Sequence, residues 1–221
     1  MIISHRYKFV YVKTRKTAST SLEIALSKFC GPEDVITGIF APDEKLRQSL
    51  GYPGPQNDEL PSGPAGCLKL VNHTPAVVAQ QFLGDAWPDY FAFTVERNPF
   101  DRVISQYYWE LELARVNGGE PVSLPQFLAD GRAELLSNWH LYAHGNNVLV
   151  DFVGRYESLA DGLQTISERI GLPEVIDISE IRTKDRLRGD RRHYRDVLEL
   201  EHRRLIEAVC HREIEEFGYR W

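Results

Sequence analysis

A lysine among small hydroxylic residues, Lys16-Thr17-Ala18-Ser19-Thr20-Ser21, is the group in this chain best suited to chemistry on an anion. It stands between an apolar run, Phe9-Val10-Tyr11-Val12, and the apolar-periodic stretch Leu22, Ile24, Ala25 and Leu26. Strand, polar turn and helix form the arrangement in which backbone N–H groups and a helix N-terminus hold a phosphate-like anion. Lys16 would sit beside that anion as a movable point charge. The turn is not a Walker A loop, because it lacks the glycines of that motif and its lysine precedes the small residues. An anion cradle in an α/β enzyme follows, though not an ordinary NTP-hydrolysing one. Ser and Thr also favour helix starts for capping alone, so the loop by itself leaves a plain surface helix open.

A second group lies at Arg97-Asn98-Pro99-Phe100-Asp101-Arg102, with Ser105 three residues on. Asn-Pro ends a strand and starts a helix. Arg97, Arg102 and Ser105 thereby become candidates at the carboxyl end of a strand, where open α/β sheets place ligands. A guanidinium offers a phosphate a bidentate fork, and the hydroxyl adds a further bond. Ion pairs of either arginine with Glu96 or Asp101 would be the plainer outcome. Two separated anion groups suit a ligand phosphorylated at two distant points.

The elements that must position these groups alternate. Residues 7–12 read as a strand and 19–29 as a helix. Residues 31–66 hold six of the twelve prolines and read as a mostly irregular insertion with a short helix near Asp43–Leu50, placed to act as an acceptor-side flap. Cys67–Val71 reads as a strand and Thr74–Leu83 as a helix. Tyr90–Val95 is a β-prone run expected to be a central strand buried on both faces. A helix follows from Phe100 to about Val116. Further helices are expected at 124–128, 135–142, 159–170 and 198–216, and a strand at 148–153. The expected fold is α/β, a P-loop-like three-layer arrangement with a mostly parallel central sheet flanked by helices. All 221 residues are read as one domain.

Composition narrows the class. The chain is 43% hydrophobic and 26% charged, with 26 basic against 32 acidic residues for a formal charge of −6. That argues against a nucleic-acid partner and against a polybasic membrane anchor. No apolar stretch approaches the roughly 18 residues of a spanning helix, and the start lacks a signal-peptide run. Cys30, Cys67 and Cys210 are scattered and fit reduced thiols. A cytoplasmic location is the default expectation, and oligomeric state is left open.

With these residues in view, the chain resembles the sulfotransferases that use PAPS (3′-phosphoadenosine 5′-phosphosulfate), especially the branch of heparan-sulfate 2-O-sulfotransferase. Lys16 to Ser21 match that branch's 5′-phosphosulfate loop, with Arg15 and Ser19 where the family usually has proline and glycine. Arg97-Asn98-Pro99-Phe100-Asp101-Arg102-Val103-Ile104-Ser105 matches its 3′-phosphate motif. Phe152 to Leu159 and Ile214 to Tyr219 look familial too, so the resemblance spans almost the whole chain. It implies transfer of a sulfuryl group from PAPS to an acceptor hydroxyl, of a carbohydrate or small metabolite, leaving PAP (adenosine 3′,5′-bisphosphate).

In that reading Lys16 stabilises charge on the leaving oxygen, and the Lys16–Ser21 loop (with Thr17, Ala18, Ser19 and Thr20) holds the 5′-phosphate. Arg97 and Ser105 take the 3′-phosphate. The resemblance makes His73 the general base, by its place in Val71-Asn72-His73-Thr74-Pro75. Its alternative role is a structural residue beside a helix start. Arg155-Tyr156 would help hold the nucleotide region. The basic run 182–195 carries seven Arg/Lys against two acidic residues. It supplies Lys184, Arg188 and Arg192 as contacts to nucleotide or acceptor, unless it is simply a solvated loop. No obligatory metal is expected, since a sulfonate carries less charge than a terminal phosphate and no DxD-like pair is present. His140 and His144, read as four apart on one helix, lack a third ligand. Tyr107, Tyr108, Trp109, Trp139 and Tyr142 are either core or a stacking wall for a sugar. Two other classes compete: a P-loop-type small-molecule kinase, and a non-catalytic anion- or glycan-binding protein of the same fold.

Overall fold

The computed structural model describes residues 1–61, 67–130, 136–181 and 192–221. Its strands are β1 (Ile2–Ser4), β2 (Phe9–Tyr11), β3 (Val35–Ile36), β4 (Glu59–Pro61), β5 (Cys67–Lys69), β6 (Phe91–Glu96), β7 (Ala143–His144), β8 (Asn147–Val148) and β9 (Phe152–Arg155). The first helices are α1 (Ser19–Ser27), α2 (Ala41–Ser49), α3 (Ala76–Leu83), α4 (Pro99–Val116) and α5 (Leu124–Ala129). Among the described residues no helix is long and apolar enough to cross a membrane.

The main sheet has the order β3–β1–β2–β6–β9. β1 pairs antiparallel with both β2 and β3, whereas β2–β6 and β6–β9 are parallel. The fold is therefore α/β with a mixed sheet, and the expected mostly parallel, P-loop-like sheet is wrong. The reason is local. Only residues 5–8 separate β1 from β2, and so short a link closes a hairpin, while a parallel pair needs a crossover of a dozen residues or more. β6, rich in β-branched and aromatic residues, does take the expected central place between β2 and β9.

The described residues gather into two compact units. One takes the described residues within 1–14, 18–96 and 140–181; the other takes those within 15–17, 97–139 and 192–221. In the first unit, strand residues Phe9, Tyr11, Phe93 and Val95 share a core with Leu22, Ile24 and Leu26 of α1. Leu163 and Ile166 of the helix Leu159–Arg169 join them. In the second unit, Phe100, Val103 and Ile104 of α4 pack with Phe127, Leu128, Tyr194, Leu198 and Ile206.

Several element boundaries differ from expectation. The 31–66 stretch supplies an edge strand of the main sheet, β3, as well as α2 and β4. The expected helix 198–216 is two helices, Leu200–Val209 and His211–Phe217, broken at Cys210 (φ −104°, ψ 22°). The expected strand 148–153 is divided between β8 and β9. His140 lies in a single helical turn, Trp139–Tyr142, and His144 in β7, so they do not share a helix face.

Candidate functional site

Within the second unit, the short segment Arg15–Thr17 is held from two sides. The buried side chain of Asn138 accepts from the Arg15 N–H at 3.0 Å and donates to the Arg15 carbonyl at 3.1 Å. Arg97 donates through Nη1 to the Lys16 carbonyl at 3.1 Å. The opposite edge of that guanidinium, Nε and Nη2, grips Asp101 Oδ2 at 2.8 and 2.5 Å. Asp101 stands in the first turn of α4, where a carboxylate is favoured by the helix dipole. Asn98 caps the same helix by accepting from the Phe100 N–H at 3.0 Å, with Pro99 following at the first helical position. The ammonium of half-buried Lys16 lies 5.3 Å from the centroid of the Trp109 ring, a cation–π distance.

Lys16 has φ 61° and Ala18 φ 57°, both left-handed. Neither is glycine, and each such residue costs roughly 1–2 kcal/mol. Strain of this kind persists only where surroundings impose it, and it clusters at ligand sites. Left-handed residues are also what bend successive N–H groups into an anion-binding concavity. Ala18 then serves as N-cap of α1, with a methyl that cannot cap it by a hydrogen bond, and no acidic residue stands in the first turn.

Arg102 is not at a ligand position. It is 1% exposed and donates through Nη2 to Glu213 Oε1 at 3.1 Å and to the Leu136 carbonyl at 2.6 Å. Glu213 Oε1 also accepts from the Ser137 hydroxyl at 2.7 Å and the Asn138 N–H at 3.0 Å. Arg102 and Glu213 thus fix the backbone that carries Asn138. Ser105 lies half-buried on the second turn of α4.

The first unit holds the candidates His73, Arg155 and Tyr156. Lys13, first of the two lysines in the segment that follows β2, is spent structurally: it is 1% exposed, with Nζ 2.6 Å from Glu23 Oε2. Glu23 Oε1 also faces the Met1 amino group at 3.0 Å and the Thr37 hydroxyl at 3.1 Å. His73 sits in a tight turn closed by Thr74, whose Oγ1 accepts from the Val71 N–H at 2.7 Å and donates to the Val71 carbonyl at 2.8 Å. His73 Nδ1 is 3.0 Å from the Lys13 carbonyl. A carbonyl only accepts, so Nδ1 carries the proton and Nε2 is the basic nitrogen of the neutral ring. Arg155 is exposed at the end of β9, and Tyr156 is half-buried after it. Arg192 is exposed, while Lys184 and Arg188 lie outside the described residues.

Among the described residues one His/carboxylate group converges closely enough to suggest a metal: Glu199, Glu201 and His202. The chemistry of a helix start accounts for it. The Glu199 side chain and His202 form a reciprocal cap, with His202 Nδ1 accepting from the Glu199 N–H at 3.2 Å. That bond leaves the proton of the neutral ring on Nε2, the nitrogen nearest Glu201, so it presents no lone pair there.

Sequence reasoning missed Asn138 and Glu213. Neither carries a periodic or motif signal; the only pointer to Glu213 is its place immediately before the familial stretch Ile214 to Tyr219.

The model of the sulfotransferase family matches residues 1–220, and the chain belongs to that family. An uncharacterized protein of Archaeoglobus fulgidus is 32% identical over 92 residues, which cover 40% of this chain and 74% of that protein.

Proposed function

We propose, from membership of the sulfotransferase family, that the protein moves a sulfuryl group from PAPS to a hydroxyl of a carbohydrate or small metabolite and releases PAP. The observation that carries this reading is the loop between β2 and α1, in which Lys16 and Ala18 are both left-handed at the entrance to a helix. Its N–H groups, with Thr17, Ser19, Thr20 and Ser21, bind the 5′-phosphate. Arg97 and Ser105 bind the 3′-phosphate, Arg155 and Tyr156 help hold the nucleotide region, and Arg192 contacts the nucleotide or the acceptor.

In the transfer step the acceptor oxygen bonds to sulfur as the bond from sulfur to the 5′-phosphate oxygen breaks, the two oxygens in line. Lys16 offsets the charge that grows on the leaving oxygen. His73 Nε2 takes the hydroxyl proton, and the bond from Nδ1–H to the Lys13 carbonyl holds the ring in the tautomer this needs. No protein nucleophile is required. Neither the kinase nor the pure binding reading gains a specific observation.

Two measurements test the proposal together. PAP should bind by calorimetry in EDTA, and radiolabelled sulfate should pass from PAPS to at least one hydroxyl of a panel of sugars, phenols and small alcohols. Absence of PAP binding in EDTA, or PAPS that binds without any transfer across the panel, would sink it.

A further inference from the structure

Lys16 is gripped on both of its flanking peptides. The peptide before it ends in the Arg15 carbonyl, which accepts from Asn138 Nδ2 at 3.1 Å, and the Arg15 N–H one step earlier donates to Asn138 Oδ1 at 3.0 Å. The peptide after it presents the Lys16 carbonyl to Arg97 Nη1 at 3.1 Å. Between these two holds the Lys16 backbone turns through φ 61°. A left-handed lysine reverts readily to ordinary conformations, and only fixed peptides on either side keep it there.

Asn138 is fitted to this task. It is fully buried, and its carboxamide pairs with one residue's N–H and C=O together, as a strand neighbour would. Its own N–H is tied to Glu213, and Glu213 is tied to Arg102. A carboxamide is the side chain that donates and accepts from one planar group. Aspartate keeps the acceptor and loses the donor; alanine loses both.

We propose that Asn138 is a positioning residue for sulfuryl transfer: its two-point hold on Arg15, working with Arg97's hold on the Lys16 carbonyl, keeps Lys16 in the left-handed conformation that aims its ammonium. The inference rests on the reading of Lys16 as the lysine that stabilises the leaving oxygen.

The test compares Asn138→Ala and Asn138→Asp, each alone and combined with Lys16→Ala. Misplacing a catalytic group by about an ångström costs on the order of a hundredfold, so Asn138→Ala should lower kcat by about that factor and Asn138→Asp by less. In the Lys16→Ala background, Asn138→Ala should change kcat by under about twofold, because residues acting through one group are not additive. Losses that multiply would overturn the proposal, since Asn138 would then act elsewhere or only on stability. If the alanine variant does not fold, the aspartate variant, equal in size and retaining one bond, carries the same comparison.

A second readout does not depend on the reaction. Amide exchange at Arg15, followed by NMR, should be slow in the parent and at least about tenfold faster in Asn138→Ala, with core β6 amides unchanged. Equal protection at Arg15 in both proteins overturns the clamp whatever the protein catalyses. An intact exchange difference with no transfer by the parent places the failure in the functional reading instead.

Discussion

Lys16 and His73 carry the proposed chemistry, and each can be separated from the binding of nucleotide. Lys16→Ala should cut turnover roughly a hundredfold or more, about 3 kcal/mol, while weakening PAP binding far less, because PAP lacks the charge that develops at transfer. Steady-state rates beside PAP titration check this, and unchanged turnover would remove Lys16 from the mechanism. His73→Asn is the sharper probe of the base. Asn can still donate toward the Lys13 carbonyl, which His73 contacts at 3.0 Å, yet it cannot take a proton. Transfer should be nearly abolished with PAP binding intact, and the parent's rate should rise with pH as the base loses its proton. Near-parental transfer by the Asn variant would leave His73 a structural role only.

The two arginines around the start of α4, Arg97 before it and Arg102 in its first turn, have separate proposed tasks. Arg97 stands at the strand–helix junction beside the loop, and Arg97→Ala should weaken PAP binding and reduce discrimination between PAPS and adenosine 5′-phosphosulfate, which lacks the 3′-phosphate, while release of the Lys16 carbonyl lowers kcat as well. Preserved discrimination would mean that the 3′-phosphate lies elsewhere. Arg102, one helical turn further, is buried against Glu213. Glu213→Ala leaves a buried guanidinium without its carboxylate and should cost about 3–5 kcal/mol in urea unfolding. The sequence pattern that flags both arginines does not tell these roles apart, because the distinction lies in a partner 111 positions away. The same limit explains Asn138, whose clamp spans 123 positions. Strand β6, α1 and α4 were legible because periodicity and capping are local. β1 and β3 were not, since three and two residues are too few to show alternation, and with them went the antiparallel half of the sheet. The break at Cys210 lies within a continuous amphipathic pattern and leaves no local mark.

Across the whole molecule, buried ionisable groups set the response to acid and to thiol reagents. Burial alone would push the Glu23 carboxyl up, but the Met1 ammonium and Lys13 more than offset it and hold it below its ordinary 4.5. A carboxyl depressed in the fold contributes stability above pH 4.5 and loses it as pH falls through the lower folded value. Urea midpoints should therefore drop as pH falls below 4.5, less steeply in Glu23→Gln, which should be the less stable protein at neutral pH. Burial, with the charge of Asp34 adding to it, pushes the Cys30 thiol up to about 12. Iodoacetamide at pH 8 should label Cys30 slowly in the native protein and rapidly in urea. The two holds on the loop also bear on when the protein becomes competent in time. Hairpin β1–β2 closes over a few residues, whereas Arg97 and Asn138 reach the loop only after 81 and 123 residues of chain have been brought back to it. Contacts of such long range form late. A refolding chain should regain helix and sheet signals before it regains affinity for PAP, so ligand capture would time the last step of assembly.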